Sequence, residues 1–172
     1  MIALNDREWK EFKIADIFEV SGTVTTKPDA LIGNGNVPRI TCAATNNGLE
    51  AFYKNEATEH GNVLTVDSAA IGYISYQEND FIATDHVEKL TCRKNINRNI
   101  GLFFKTVINN AVFGKYNYGY KFSQMRIKRQ IIRLPVNSEG EPDYEFMEDY
   151  MRYLEQKKIL QYLDYINRTS LD

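Results

Sequence analysis

Three tyrosines at every second position, Tyr116, Tyr118 and Tyr120, are bracketed by Lys115 and Lys121 and followed by Phe122, Gln124, Arg126, Lys128 and Arg129. Ammonium and guanidinium groups hold phosphate oxygens, and aromatic faces stack on bases, so this set suits a nucleic acid. The charge pattern around it is one-sided. From Lys89 to Ser138 the chain runs 50 residues without an Asp or Glu while carrying 11 Lys and Arg; the other 122 residues hold all 23 carboxylates and 10 basic residues. A formal +11 therefore stands against −13 behind a net charge of −2, and such a dipole steers a phosphate-bearing partner toward one face. Lys115, Lys121, Arg126, Lys128 and Arg129 are the candidates to position a duplex by its phosphates. Thr45, Asn46, Asn47, Tyr118 and Gln124 are the candidates to reach bases, since Asn and Gln amides match adenine whereas Arg and Lys match guanine. Which base each reads is left open. The tyrosine alternation is also what a strand with one core-facing side shows, and a strand of exposed rings would make a single-stranded nucleic-acid binder the alternative use.

Other chemistries have weaker support. Pro142-Asp143 followed by Glu155-Gln156-Lys157 spells the outline of a metal-dependent nuclease, a second alternative. Asp143 and Glu155 stand twelve positions apart on one expected helix, about 18 Å along its axis, too far for two ligands that must each come to roughly 2.1 Å of one Mg²⁺. His60, His86, Cys42 and Cys92 lack the close spacing of a zinc site, and no metal site is expected. A Cys–His nucleophilic pair from Cys42 or Cys92 with His86 competes with buried thiols and an ordinary loop histidine. The sequence contains no Asn-Pro-Pro-Tyr type methylation motif, no phosphate loop ending Gly-Lys-Ser/Thr and no Gly-x-Gly-x-x-Gly. The expectation is a chain without catalytic residues or a cofactor of its own.

The elements that must carry these residues read as α+β: a mixed, mostly antiparallel sheet with packed helices, then a long helix. A length of 172 residues with 43% hydrophobic content suits one core. Trp9 to Val20 predicts a strand and one helical turn, and Gly22 to Asn36 a loop whose tip is Gly33-Asn34-Gly35-Asn36. Arg39 to Cys42 and Leu49 to Tyr53 should pair through Asn46-Asn47-Gly48, the residue types a tight turn with positive φ requires. Asn62–Val66 and Ala69–Tyr76 predict a second hairpin turning at Asp67-Ser68, with Phe81–Ala83 and Val87–Cys92 continuing the sheet. Ile100, Phe103, Phe104, Val107, Ile108 and Ala111 recur at three- and four-residue steps and predict a helix over 99–112. Ser123 opens a short turn through Lys128, and Ile131–Val136 is a strand. Charges throughout residues 1–20, and no run near the roughly 18 apolar residues of a membrane span, lead to the expectation of a cytoplasmic chain without a membrane partner and with reduced thiols.

Pro142 in a first turn, with Asp143 and Glu145 at its positive end, starts the long helix, roughly 24 residues and about 36 Å to Ile166. Met147, Met151, Leu154, Tyr162 and Ile166 form one stripe; Phe146, Tyr150, Tyr153, Leu160 and Leu163 form another. One domain has one face to offer, so Met147, Met151, Leu154 and Leu163 are candidate contacts to a partner helix, with a homodimer as the simplest outcome. The organisation expected is 1–138 as the recognition domain and 139–172 as loop and coiled-coil-type helix.

Taken in order, Trp9-Lys10-Glu11-Phe12-Lys13-Ile14 with Asp16-Ile17-Phe18, Arg39-Ile40-Thr41 with Asn46-Asn47-Gly48, Gly72 to Tyr76 before Phe81-Ile82-Ala83-Thr84, Tyr116-Asn117-Tyr118-Gly119, and Ile132-Arg133-Leu134-Pro135-Val136 before Gly140-Glu141-Pro142-Asp143 resemble a target-recognition domain from the specificity subunits of type I restriction-modification systems. The resemblance covers Trp9 to about Leu154. It implies a non-catalytic DNA reader, two of which make a complete subunit and each of which reads half of a bipartite duplex sequence. It also implies methyltransferase and restriction subunits as partners, which bring S-adenosylmethionine, ATP and Mg²⁺. A single recognition domain with one long helix looks like half of such a subunit.

Overall fold

The computed structural model describes residues 2–169, and these form three small sheets and four helices. β1 (Trp9–Lys13), the helical turn α1 (Ile14–Ile17) and β2 (Phe18–Gly22) open the chain, as the sequence suggests. β3 (Asn34–Ile40), β4 (Leu49–Tyr53), β5 (Val63–Asp67), β6 (Ile74–Gln77), β7 (Ile82–Ala83) and β8 (Val87–Cys92) follow. Then come α2 (Arg98–Val112), α3 (Gln124–Arg129), β9 (Ile131–Pro135) and α4 (Tyr144–Thr169). The sheets run β1-β9, β2-β8-β5-β6 and β4-β3-β7. Every pairing is antiparallel except β3 with β7, which makes the fold mixed and mostly antiparallel α+β.

α2 organises the core because its apolar residues fall on one side. Ile100, Phe103, Phe104, Ile108 and Val112 are buried against Phe18, Leu64, Ile74 and Leu90. Asn97 caps the helix by accepting from Ile100 N at 3.1 Å. Gly101 lets it approach the sheet, since a Cβ there would lie 2.3 Å from the Tyr76 ring. Asn109 finishes the contact like an extra strand: its amide donates to Ile74 O and accepts from Ile74 N, both at 2.9 Å, which covers the edge of β6.

Several expectations change. Asn34 to Asn36 belong to β3 and not to a loop tip; Gly35 is there because a Cβ would collide with Tyr53 O at 2.3 Å. The β5–β6 connection is longer than Asp67-Ser68, because the Asp67 carboxylate accepts from Ala69, Ala70 and Ile71 N and winds residues 68–73 into a turn. β7 leaves the four-stranded sheet to pair with β3. Residues 116–122 form no strand: Asn117 Oδ1 accepts from Gly119 N and Tyr120 N, and Asn117 and Tyr120 exchange backbone bonds, which folds the segment back on itself.

α4 begins one residue after Asp143 and two after Pro142. Asp143 is its cap, accepting from Phe146 N at 2.9 Å and from Arg7 Nε at 2.8 Å. The two-stripe expectation divides along the helix. Phe146 and Met147 are buried and Tyr150, Met151, Tyr153 and Leu154 half-buried, while every side chain from Glu155 to Arg168 is exposed. Met147, at 0% exposure, fills the domain's own core and cannot meet a partner; Met151 and Leu154 pack on or beside that core, and Leu163, 49% exposed, is the one of the four on the projecting part. Ser170, Leu171 and Asp172, the end of the expected 139–172 segment, lie outside the described residues. No helix among the described residues is long and apolar enough to cross a membrane.

Candidate nucleic-acid interface

Phe122 is fully buried, seated over Gly72, where a Cβ would stand 2.8 Å from the ring and where φ is +77°. From this anchor planar groups stack outward. Tyr116 lies 4.2 Å from Phe122, Tyr120 lies 5.8 Å from Tyr116 with planes 7° apart, and the Arg126 guanidinium sits 3.8 Å from the Tyr120 centroid. The Asn117 turn brings rings four residues apart face to face, so their sequence alternation reports stacking and not a strand. Burial raises the Tyr116 hydroxyl above its ordinary pKa, with Tyr120 adding to it, and that hydroxyl donates to Gln130 Oε1 at 3.1 Å. Lys121 Nζ stands 5.1 Å over the Tyr118 ring, which is 80% exposed.

α3 lies beside this column. Ile127 is buried and anchors it, and Arg126 N and Ile127 N bond Ser123 O; the Ser123 side chain makes no cap. Arg126 Nη1 donates to Lys121 O at 2.7 Å and Gln124 Nε2 to Glu88 Oε2 at 2.7 Å. Lys128 and Arg129 point to solvent. Lys115, Tyr116, Tyr120, Gln124, Arg126 and Arg129 line one open cleft of about 850 Å³.

The acid-free window divides into spent and unspent charge. Lys89 pairs with buried Glu59 at 2.5 Å, and Arg98 reaches Glu155 at 3.3 Å and Glu78 at 3.9 Å. Among the described residues, Lys115, Lys121, Arg126, Lys128 and Arg129 have no carboxylate within 4 Å, nor do Arg93, Lys94, Lys105 and Arg133 elsewhere in the window. Three of these, Lys115, Arg126 and Arg129, line the cleft, with Lys128 exposed on α3 and Lys121 on the turn before it, and such a group without internal counter-charge is what a polyanion needs.

The structure brings Lys115, Gln124, Arg126 and Arg129 to one cleft, with Lys128 on α3 and Tyr118 and Lys121 on the turn before it, but not the other candidates. The turn Asn46–Gly48 has φ of 49°, 55° and 77°, as its residue types require, and docks on β6 and the middle of α2. Asn47 Nδ2 donates to Tyr76 O at 2.7 Å, its Oδ1 accepts from Lys105 Nζ at 3.2 Å, and its backbone O accepts from Gln77 Nε2. Both ends of the Asn47 amide are committed; Asn46 Nδ2 is held by Leu49 O at 3.1 Å, and both residues line a separate cleft with Arg98 and Lys105, not the one at α3. Thr45 is exposed on the same turn, away from the cleft.

Sequence reasoning missed Met125, 65% exposed on the cleft wall, and Phe113, 89% exposed just after α2. It also missed Glu88, which stands one residue before the acid-free window and holds Gln124.

The remaining chemical candidates are engaged elsewhere. Asp143 caps α4 and pairs with Arg7, while Glu155 pairs with Arg98. Cys42 donates to the backbone O of His86 at 3.2 Å and not to its ring, and burial, then Asp67, pushes its thiol up to about 12, the reverse of an activated nucleophile. Cys92 is also raised by burial.

Comparison with known proteins agrees with this architecture. Residues 6–168 match the family described as type I restriction modification DNA specificity domain. The specificity subunit of a type II restriction enzyme from Heyndrickxia coagulans is 38% identical over 161 residues, which cover 91% of this chain and 46% of that one. Two solved structures share the fold. The S subunit of a type I restriction-modification system from M. genitalium superposes over 98% of this chain and 44% of its own with a TM-score of 0.63 at 14% identity. The HsdS subunit from Thermoanaerobacter tengcongensis does so over 94% and 39% with a TM-score of 0.59 at 12% identity. The chain spans less than half the length of each of these relatives. By sequence along nearly its whole length, with the fold in agreement, the chain belongs to the type I restriction modification DNA specificity domain family.

Proposed function

We propose that this chain is a DNA sequence-specificity subunit, or half-subunit, of a restriction-modification system, which binds one half of a bipartite duplex target and directs methyltransferase and restriction subunits to it. The observation that carries the proposal is the cleft at α3, where Lys115, Arg126 and Arg129, without counter-ions, line an aromatic column, with Lys121 and Lys128 on the adjoining turn and helix. Family membership supplies the expectation of DNA as the polyanion. Lys115, Lys121, Arg126, Lys128 and Arg129 fit the phosphates, with Tyr118 and Gln124 toward the bases. A duplex fits better than a single strand because the stacking faces are occupied: Tyr116 lies between Phe122 and Tyr120, and Tyr120 between Tyr116 and Arg126. The chain itself then performs no chemistry; S-adenosylmethionine, ATP and Mg²⁺ belong to the partners. In this scheme residues 1–138 recognise DNA, and the projecting part of α4 pairs with a second copy through Leu160 and Leu163, leaving Met147 in the core and Met151 and Leu154 at the border. Such pairing places two identical readers about one helix length apart on an interrupted palindrome.

Fluorescence anisotropy on a labelled duplex tests the reading. About five to six neutralised phosphates give a slope of log K against log salt near −5, roughly a 10³-fold loss from 50 to 200 mM salt. A flat dependence, or preference for a single strand, overturns it.

A further inference from the structure

The cations and amides of the cleft differ in how firmly they are held, and the difference separates two tasks. A phosphate oxygen accepts a donor from many directions, so a flexible cation serves it well. A base edge has a fixed plane and fixed donor and acceptor positions, and a side chain already locked in place meets it with less lost entropy. Lys128 and Arg129 are exposed, with no side-chain hydrogen bond or ring contact among the described residues. Arg126 is fixed twice, by the Tyr120 face at 3.8 Å and by Lys121 O at 2.7 Å on Nη1. Gln124 is fixed by Glu88 Oε2 at 2.7 Å.

From this the geometry points to Arg126 and Gln124 as the base-reading pair of the cleft, Arg126 for a guanine and Gln124 for an adenine, with Glu88 as a positioning residue. The inference rests on the duplex-binding proposal above and moves Arg126 from the phosphate grip to the reading surface. With Nη1 turned to the Lys121 carbonyl and the guanidinium held over the Tyr120 ring, the Nε–Nη2 edge of Arg126 remains. Those two parallel donors match the O6 and N7 acceptors of guanine in the major groove. For Gln124, a carboxylate only accepts, so the bond to Glu88 fixes which end of the amide is nitrogen. Oε1 and the second Nε2 proton then form the opposite edge, an acceptor beside a donor. Adenine presents the complement, N6–H and N7. Both side chains line the same cleft, flanked by Arg129 and Lys115.

The test is enrichment of bound duplexes from a random pool by the full chain, followed by anisotropy on the enriched sequence and its single-pair variants. The wild type should select a motif that contains a G·C and an A·T pair. Arg126→Lys, which keeps the charge and leaves the Phe122 anchor untouched, should relax discrimination at the G·C pair alone by about 5- to 150-fold with the salt slope unchanged. Gln124→Ala should do the same at the A·T pair, and Glu88→Gln should weaken that pair's selection without touching the G·C preference. Lys128→Ala should lower affinity equally for every sequence and reduce the salt slope by about 1. A wild-type motif that Arg126→Lys and Gln124→Ala leave unchanged overturns the inference and leaves the specificity proposal standing, as does an Arg126→Lys variant that weakens all sequences equally; salt-steep binding that selects no motif overturns the inference and the sequence-specific part of the proposal, leaving duplex binding. Absence of salt-steep duplex binding overturns both.

Discussion

The cleft at α3 and the helix α4 both carry arginines, lysines and tyrosines, yet their arginines handle charge in opposite ways. On α4, Arg152 pairs with Glu148 one turn back and with Asp149 at 3.7 Å, and Arg168 pairs with Asp164 at 2.8 Å. At the cleft, Arg126 rests on Tyr120 and Lys121 on Tyr118 with no carboxylate near. Arginines closed by their own helix add little field at a distance and solvate a surface that meets protein. Cations left on ring faces keep their field and cost the fold repulsion, which a docked polyanion relieves. Ile159, Leu160, Tyr162 and Leu163, each about half exposed or more, show what the projecting part of α4 offers instead: apolar area.

Breaking the cleft at its root should have the largest effect. Phe122→Ala removes a fully buried ring from the base of the column and should cost about 3–5 kcal/mol of stability, read by urea denaturation, with duplex binding lost as the column loosens. Next comes Lys121→Gln, Lys128→Gln and Arg129→Gln together, which leaves the column intact. Affinity for duplex at 0.1 M salt should fall on the order of 10²- to 10³-fold and the salt slope by about 2.7. Replacing Leu160 and Leu163 by Glu should leave monomer affinity for a half-site unchanged while sedimentation shows loss of self-association. Smallest is Arg168→Gln on α4: an exposed i,i+4 pair contributes about 0.3–0.5 kcal/mol, so melting should hardly move and binding not at all.

What the sequence reveals of this contrast depends on how local its causes are. α2 is legible because one face repeats every three to four residues, and the Asn46-Asn47-Gly48 turn because its positive φ values demand those residue types. The acid-free window is legible as a count, but not the removal of Lys89 from it, since Glu59 lies 30 residues away. The fold-back at 116–120 hides behind an alternation that a strand would share, and the Asn117 side chain decides between them. Gln124 stands out as a candidate reader, yet the Glu88 bond that orients it spans 36 residues and crosses from α3 to β8. On α4 periodicity marks two apolar stripes without saying which turns the domain covers, so Met147 and Leu163 look alike in sequence and differ from 0% to 49% exposure in space.

Methionine methyl NMR of the labelled chain tests the central claim, that the α3 cleft and not α4 meets DNA. Met125 stands 65% exposed on the cleft wall, Met147 lies at 0% in the core, and Met151 sits half-buried on the inner part of α4. Titration with a duplex at low salt should shift the Met125 resonance and leave Met147 and Met151 in place, and the shift should reverse as salt is raised. A duplex that moves Met151 while Met125 stays fixed would contradict the account and put the DNA against the long helix.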